Sequence, residues 1–206
     1  MNKSINREDS QVKQDGSENQ VTKEYHLGLD ISTAVVGFVI LEPNGTMVKM
    51  DHVKLNIVKF PDLFTKVDWT IERLITGCDG YKIKKIFVEA NAKMFTPGFS
   101  SADTILTLAK MNALVSYLSH KFFNVPVTDV NVTSARSRIG YKNNRLDKRT
   151  VKEKVREFVV NLHPEFPIKT HVAKTGKSKG QSVMNAEVAD EIDAFVIARG
   201  GQILNP

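Results

Sequence analysis

The stretch "EYHLGLDISTAVVGFVILEPNGTMVKMDHVKL", residues 24–55, decides the fold. "EYHLGLDIS" (24–32) and "AVVGFVILE" (34–42) are apolar runs of strand length, rich in β-branched side chains. "PNGT" (43–46) contains Asn-Gly, the dipeptide of tight hairpin turns, and "TMVKMDHVKL" (46–55) then reads as a third strand. Strands joined by such short connections predict an antiparallel meander. Its first strand closes on an acid, Asp30.

Outward from the meander, "PDLFTKVDWTIERLITG" repeats apolar side chains at helical spacing (Leu63, Val67, Ile71, Leu74) and ends on Gly77. Trp69 on this helix is assigned to the core. "KKIFVEAN" is a buried strand ending in Glu89, and "SADTILTLAKMNALVSYLSHKF" is a long, mostly apolar helix opened by the cap Ser101. "VPVTDVNV" predicts another strand, and "DKRTVKEKVREFVVNL" an amphipathic helix with Asp147 as its cap. A basic, disordered-looking loop leads to a last helix, with Asn185 expected to cap it and Gly200 to end it. The order βββ, α, β, α, β, α, α predicts an α/β layered domain, a mixed sheet with helices on its faces.

Length and charge narrow the class. The chain has 206 residues, enough for one domain with a full core. Residues 1–24 carry four basic residues against five acids and few apolar side chains, which reads as a disordered tail preceding a domain over 25–206. The lone cysteine, Cys78, excludes an intramolecular disulfide framework and a cysteine zinc cluster. No run reaches membrane-spanning length and no signal-peptide core opens the chain, so an intracellular, cytoplasmic protein without membrane attachment is expected.

The net charge of +6 is segregated. Between Arg136 and Arg156 nine basic residues face only Asp147 and Glu153, and "IKTHVAKTGKSKGQ" adds Lys169, Lys174, Lys177 and Lys179 without an acid. Solubility alone does not require such clustering, whereas a polyanion partner does, because neutralising phosphates releases condensed counterions. Nucleic acid is the expected partner.

Against this basic background, "VADEIDAFVIARG" (188–200) places Asp190, Glu191 and Asp193 inside a helix that is otherwise apolar. At about 100° per residue, Asp190 and Asp193 share one side with Ile197, opposite Val188, Ile192, Phe195 and Arg199. Glu191 is explained by the helix dipole alone. The pair is not, because two further acids, Asp30 and Glu89, stand at the carboxyl ends of strands, where open α/β sheets bind ligands. Four carboxylates from two strands and one helix suit hard divalent cations.

"LGLDIST" with Asp30, "IFVEAN" with Glu89 and "DEIDAFVIA" with Asp190 and Asp193 resemble, in order and spacing, the ribonuclease H-like nucleases, most closely the RuvC-type Holliday junction resolvases. "VTSARSRIGYKNNRLDKRTVKEKVREFV" resembles that family's basic turn and following helix. The resemblance covers about residues 24–200. It implies a five-stranded sheet, three strands antiparallel and two parallel, flanked by helices. It implies a metal-dependent endonuclease that nicks branched DNA, four-way junctions above all, as a homodimer. Asp30, Glu89, Asp190 and Asp193 would be its catalytic metal ligands, holding two Mg²⁺ or Mn²⁺ ions about 3.5 to 4 Å apart.

Other roles follow the same resemblance. An aromatic after the central acid would wedge into the junction, here Phe95 or Phe99. DNA contacts would come from Arg136, Arg138, Tyr141, Lys142, Asn143, Arg145, Lys148 and Arg149, with Lys174, Lys177 and Lys179 of the basic loop. The helix from Ser101 to Phe122 would form the dimer, and His163 and His171 could assist near the metals. The chain departs from the bacterial pattern in its N-terminal tail, in "RIGYKNN" and in its longer lysine-rich stretch, features compatible with a viral or phage-type member acting on a wider range of branched DNA.

Two rival functions fit the sequence less well. A non-catalytic junction-binding protein of the same fold would gain nothing from four acids beside DNA phosphates. "LGLDIST" also resembles the phosphate loop of sugar kinases and actin-like ATPases, but those proteins repeat the domain, and this chain is too short for two.

Overall fold

The computed structural model describes residues 23–56, 59–91, 101–166, 168–176 and 179–206. The meander forms as read: β1 (Glu24–Ile31), β2 (Val35–Leu41) and β3 (Met47–Lys54) pair antiparallel in sequence. Helix α1 (Leu63–Gly77) follows, with Asp62 at its N-terminus accepting from the Thr65 amide at 2.9 Å. Strand β4 (Lys82–Glu89) then returns parallel to β1, and β5 (Val127–Val130) pairs parallel with β4 after α2 (Ala102–Phe123). The sheet order is β3-β2-β1-β4-β5, the expected mixed five-stranded sheet with three antiparallel strands and two parallel ones. The tail expected over 1–24 lies outside the described residues except for Lys23 and Glu24, and Glu24 already opens β1.

Strand alternation divides the core into two layers. Leu27, Leu29 and Ile31 of β1, Val36, Phe38 and Ile40 of β2, and Ile86 and Val88 of β4 point to one face, covered by α1 and α2. Val39, Leu41 and Phe87 point to the other, covered by α3 (Val132–Arg138), α4 (Val151–Leu162) and α5 (Val188–Leu204). Side chains two apart share a face, so Asp30 lies on the side of Gly28, and Glu89 on the side of Phe87. Gly28 pairs with Phe87 across the β1–β4 ladder, which sets Asp30 and Glu89 beside each other at the strands' carboxyl ends.

Helix α5 lies flush on this face because the sheet beneath it lacks side chains where the backbones approach. A Cβ on Gly28 would fall 2.4 Å from the Ala198 Cβ, and one on Gly37 would fall 2.2 Å from the Asp190 carbonyl oxygen. The helix is apolar almost all round and buried from Val188 to Ala198 apart from Asp190.

The structure corrects four local expectations. The cap of α4 is Thr150, which forms a reciprocal capping box with Glu153, whereas Asp147 binds Arg149 instead. The basic loop is a hairpin, β6 (Thr170–Val172) with β7 (Ser182–Met184), whose turn contains Gly176 and Gly180 at positive φ. Helix α5 starts from Glu187 without a side-chain cap, since the Asn185 side chain bonds His171. It also runs through Gly200 to Leu204: Gly200 serves close packing, because a Cβ there would fall 2.4 Å from the Ala135 Cβ. Trp69 sits at the rim of the core, partly buried, stacked on Phe60 with the Lys59 ammonium 4.4 Å from its ring centre.

Candidate functional site

The four acids predicted from sequence come together. Burial, then the neighbouring charges of Asp193 and Glu89, hold the Asp30 carboxyl well above its ordinary range. Glu89 is raised by the same burial and by Asp193, against the pull of Arg136 and Lys152. Asp190 is raised too, chiefly by burial, although Lys152 acts in the opposite direction. Each group responds to its neighbours because the carboxylates share one poorly solvated volume. The strand end carrying Glu89 is itself held: the buried Asn112 side chain of α2 donates to the Glu89 carbonyl at 3.0 Å.

Two cations answer this charge. The Lys152 ammonium lies 2.9 Å from Asp193 Oδ2 and 3.4 Å from Asp190 Oδ1, bridging the two helix acids. Burial lowers the affinity of Lys152 for its proton, but the attraction of Asp193, Asp190 and Asp30 outweighs it and raises the pKa overall. Arg136 reaches Asp193 Oδ1 at 3.7 Å, and its buried Nε has no partner. Arg136, one of the expected DNA contacts, faces the acid cluster. The local signal for Lys152 is its place inside the T-x-x-E capping box, in the first turn of α4.

A second group of titratable residues escaped the sequence reading. Glu191 is fully buried, with its Oε1 2.6 Å from His52 Nδ1 and 3.3 Å from the Lys169 ammonium. Asp51 joins it, 3.5 Å from the same ammonium. The helix dipole therefore does not suffice to explain Glu191. The visible signal was "DH" interrupting the apolar alternation of β3.

The expected DNA-contact residues divide. Lys142, Asn143, Arg145 and Lys148 lie exposed on the segment between α3 and α4, where Leu146 is 90% exposed among them. Tyr141 is half buried, edge-on to Phe158. Arg149 is tied to Asp147 at 2.7 Å and Glu157 at 2.8 Å, and Arg138 lines a cavity of about 580 Å³ with His163 and Arg199. Lys174 and Lys179 are exposed on the hairpin turn, and Lys177, Phe95 and Phe99 lie outside the described residues. His163 bonds Glu165 and packs edge-on to Phe195, and His171 bonds Asn185; neither contacts the acid cluster through these bonds.

The mixed sheet and its flanking helices match solved structures over most of the chain. RuvC from Thermus thermophilus in complex with a Holliday junction substrate aligns with a TM-score of 0.57 and 12% identity, covering 86% of this chain and 91% of that one. The fold is that of the RuvC-type resolvases. A second Thermus thermophilus RuvC structure aligns at 0.52 and 14% identity over 85% of this chain and 92% of that one. The yeast mitochondrial Holliday junction resolvase gives 0.50 and 13% over 87% of this chain and 78% of that one. No family model matches the sequence, and no curated protein does. Among the described residues, no helix is long and apolar enough to cross a membrane.

Proposed function

We propose that the chain is a structure-specific, divalent-metal-dependent DNA endonuclease, a crossover junction endodeoxyribonuclease that resolves Holliday junctions in recombination and repair through paired nicks made by a homodimer. The observation that carries this reading is the convergence of Asp30, Glu89, Asp190 and Asp193 at the carboxyl end of the central strands, three of them with carboxyls raised above their ordinary range. The likeness to a RuvC bound to a Holliday junction supports the same substrate.

The residues fit divalent metal. The set is all oxygen, as Mg²⁺ and Mn²⁺ prefer, and the Lys152 ammonium already occupies a cation position between Asp190 and Asp193. Metal ions held there would activate a water for attack on the phosphodiester and stabilise the leaving 3′ oxygen. The protein's own part is placement. Asp30 and Glu89 are fixed by the β1–β4 ladder, while Asp190 and Asp193 are fixed by a helix that the glycines let down onto the sheet. Lys142, Arg145 and Lys148 offer exposed positive charge that can draw in the phosphate backbone. Leu106, Leu108, Tyr117 and Phe122 leave α2 with exposed apolar side chains after it has buried Met111 and Val115, which supports a dimer through this helix.

The test is cleavage of a synthetic four-way junction in Mg²⁺ or Mn²⁺, beside a fork and a linear duplex, with wild type and Asp30→Asn. Paired, symmetric nicks in the junction that disappear in the variant are expected. Equal cutting of the fork would widen the substrate to branched DNA in general. Tight junction binding without cutting in either metal would refute the catalytic reading and leave a junction-binding protein.

A further inference from the structure

The flank of α5 that faces β3 carries a different donor set. One ligand atom each from Asp51, His52 and Glu191 lies within 4.8 Å of the other two. At about 100° per residue, Glu191 is turned away from Asp190 and farther still from Asp193, so these donors are not those of the four-acid cluster. Their chemistry differs as well. One imidazole nitrogen with two carboxylates suits first-row transition ions such as Zn²⁺, whereas an all-oxygen set suits Mg²⁺.

Independent of the count of acids, one atom in this group lacks a partner. Glu191 has no solvent exposure, its Oε1 takes both His52 and Lys169, and its Oε2 is buried without a hydrogen bond. A buried carboxylate oxygen left unpaired is costly, and a cation beside it removes the cost. Among the described residues, Lys169 is the ammonium ion-paired with the group, at 3.3 Å from Glu191 and 3.5 Å from Asp51. That side chain is 44% exposed at the foot of the β6–β7 hairpin and can swing away into water.

We propose that Asp51, His52 and Glu191 form a second cation site, selective for a Zn²⁺-class transition ion, in which the Lys169 ammonium is the internal substitute displaced when the metal binds. Occupancy clamps β3 to the first turn of α5, beside Asp190, and releases Lys169 with the base of the basic hairpin. The His52 side chain is only 16% exposed and already directs Nδ1 at Glu191, so the nitrogen donor needs no large rearrangement.

The experiment is calorimetric titration of the full chain with Zn²⁺ alone, in a background carrying Asp30→Asn and Asp193→Asn to weaken binding at the four-acid cluster. Its readout does not depend on nuclease activity, so failure of the proposed function leaves it intact. One equivalent is expected to bind. His52→Gln should weaken the Kd at least about tenfold, since removing even an outer partner of a metal ligand costs about that much, and Lys169→Met should tighten it by removing the competing charge. Circular dichroism confirms folding of each variant, and Lys169→Met, at an exposed position, guards against a folding defect in the other. A Zn²⁺ affinity left unchanged by either substitution overturns the proposal.

Discussion

The two flanks of α5 carry acids under opposite conditions. On the flank facing Asp30 and Glu89, four carboxylates meet two side-chain cations, Lys152 and Arg136, and three of the carboxyls are pushed above their ordinary range. On the flank facing β3, Glu191 and Asp51 meet Lys169 and His52, donor for donor. In the folded chain the first flank sets four acids against two cations, while the second sets Glu191 and Asp51 against one ammonium and an imidazole that meets Glu191 directly. A domain selected for stability alone would neutralise or remove the first group, since burying like charges together opposes folding. Its presence at the most buried helix supports reading it as a site.

Neutralising one acid on each flank should separate them most sharply. Asp30→Asn should cut junction cleavage by on the order of 10³-fold, the scale on which a preorganised charge in a catalytic centre acts. It should also raise the Tm of the metal-free protein by roughly 2–4 °C, which corresponds to about 1 kcal/mol in a domain of this size. Loss of cleavage with a lowered Tm would mean instead that Asp30 is a structural group.

Glu191→Gln should do the reverse to stability. The amide removes the buried carboxylate charge that the Lys169 ammonium and the His52 imidazole meet at Oε1, which costs roughly 1–3 kcal/mol. Thermal unfolding of the two variants side by side, without metal, checks the contrast. Shifts of the same sign would break it.

Much of this was legible in the sequence, for reasons of scale. Strand alternation and the Asn-Gly turn act over a few residues, so the meander and the strand-end positions of Asp30 and Glu89 could be read directly. What was missed depends on partners distant in sequence. Glu191 meets His52 across 139 positions, and Lys152 meets Asp190 across 38, so neither contact leaves a local trace. The cap of α4 was a different kind of miss. "TVKE" spells the capping box, while Asp147, three residues earlier, is an equally common cap residue type. Because that box orders the turn bearing Lys152, Thr150→Ala should lower stability by about 1 kcal/mol, and Asp147→Ala by less. Equal shifts in Tm would return the cap to Asp147.

The comparison between flanks also has a pH signature. Asp30, Glu89 and Asp190 have folded-state pKa values above those of the unfolded chain. Between the two values the folded protein binds more protons than the unfolded one, so these groups oppose folding increasingly as pH rises through that window. Below the unfolded values both states are protonated and the penalty is gone. The Tm advantage of metal-free Asp30→Asn over wild type should therefore be largest near neutral pH and shrink steadily as pH falls into the ordinary carboxylate range. Saturating Mg²⁺ at neutral pH should reverse its sign, because a ligand that binds only the folded wild-type site stabilises it by mass action. An advantage independent of pH would place the effect of Asp30 in packing rather than in charge, and the charge deficit of that flank would lose its main support.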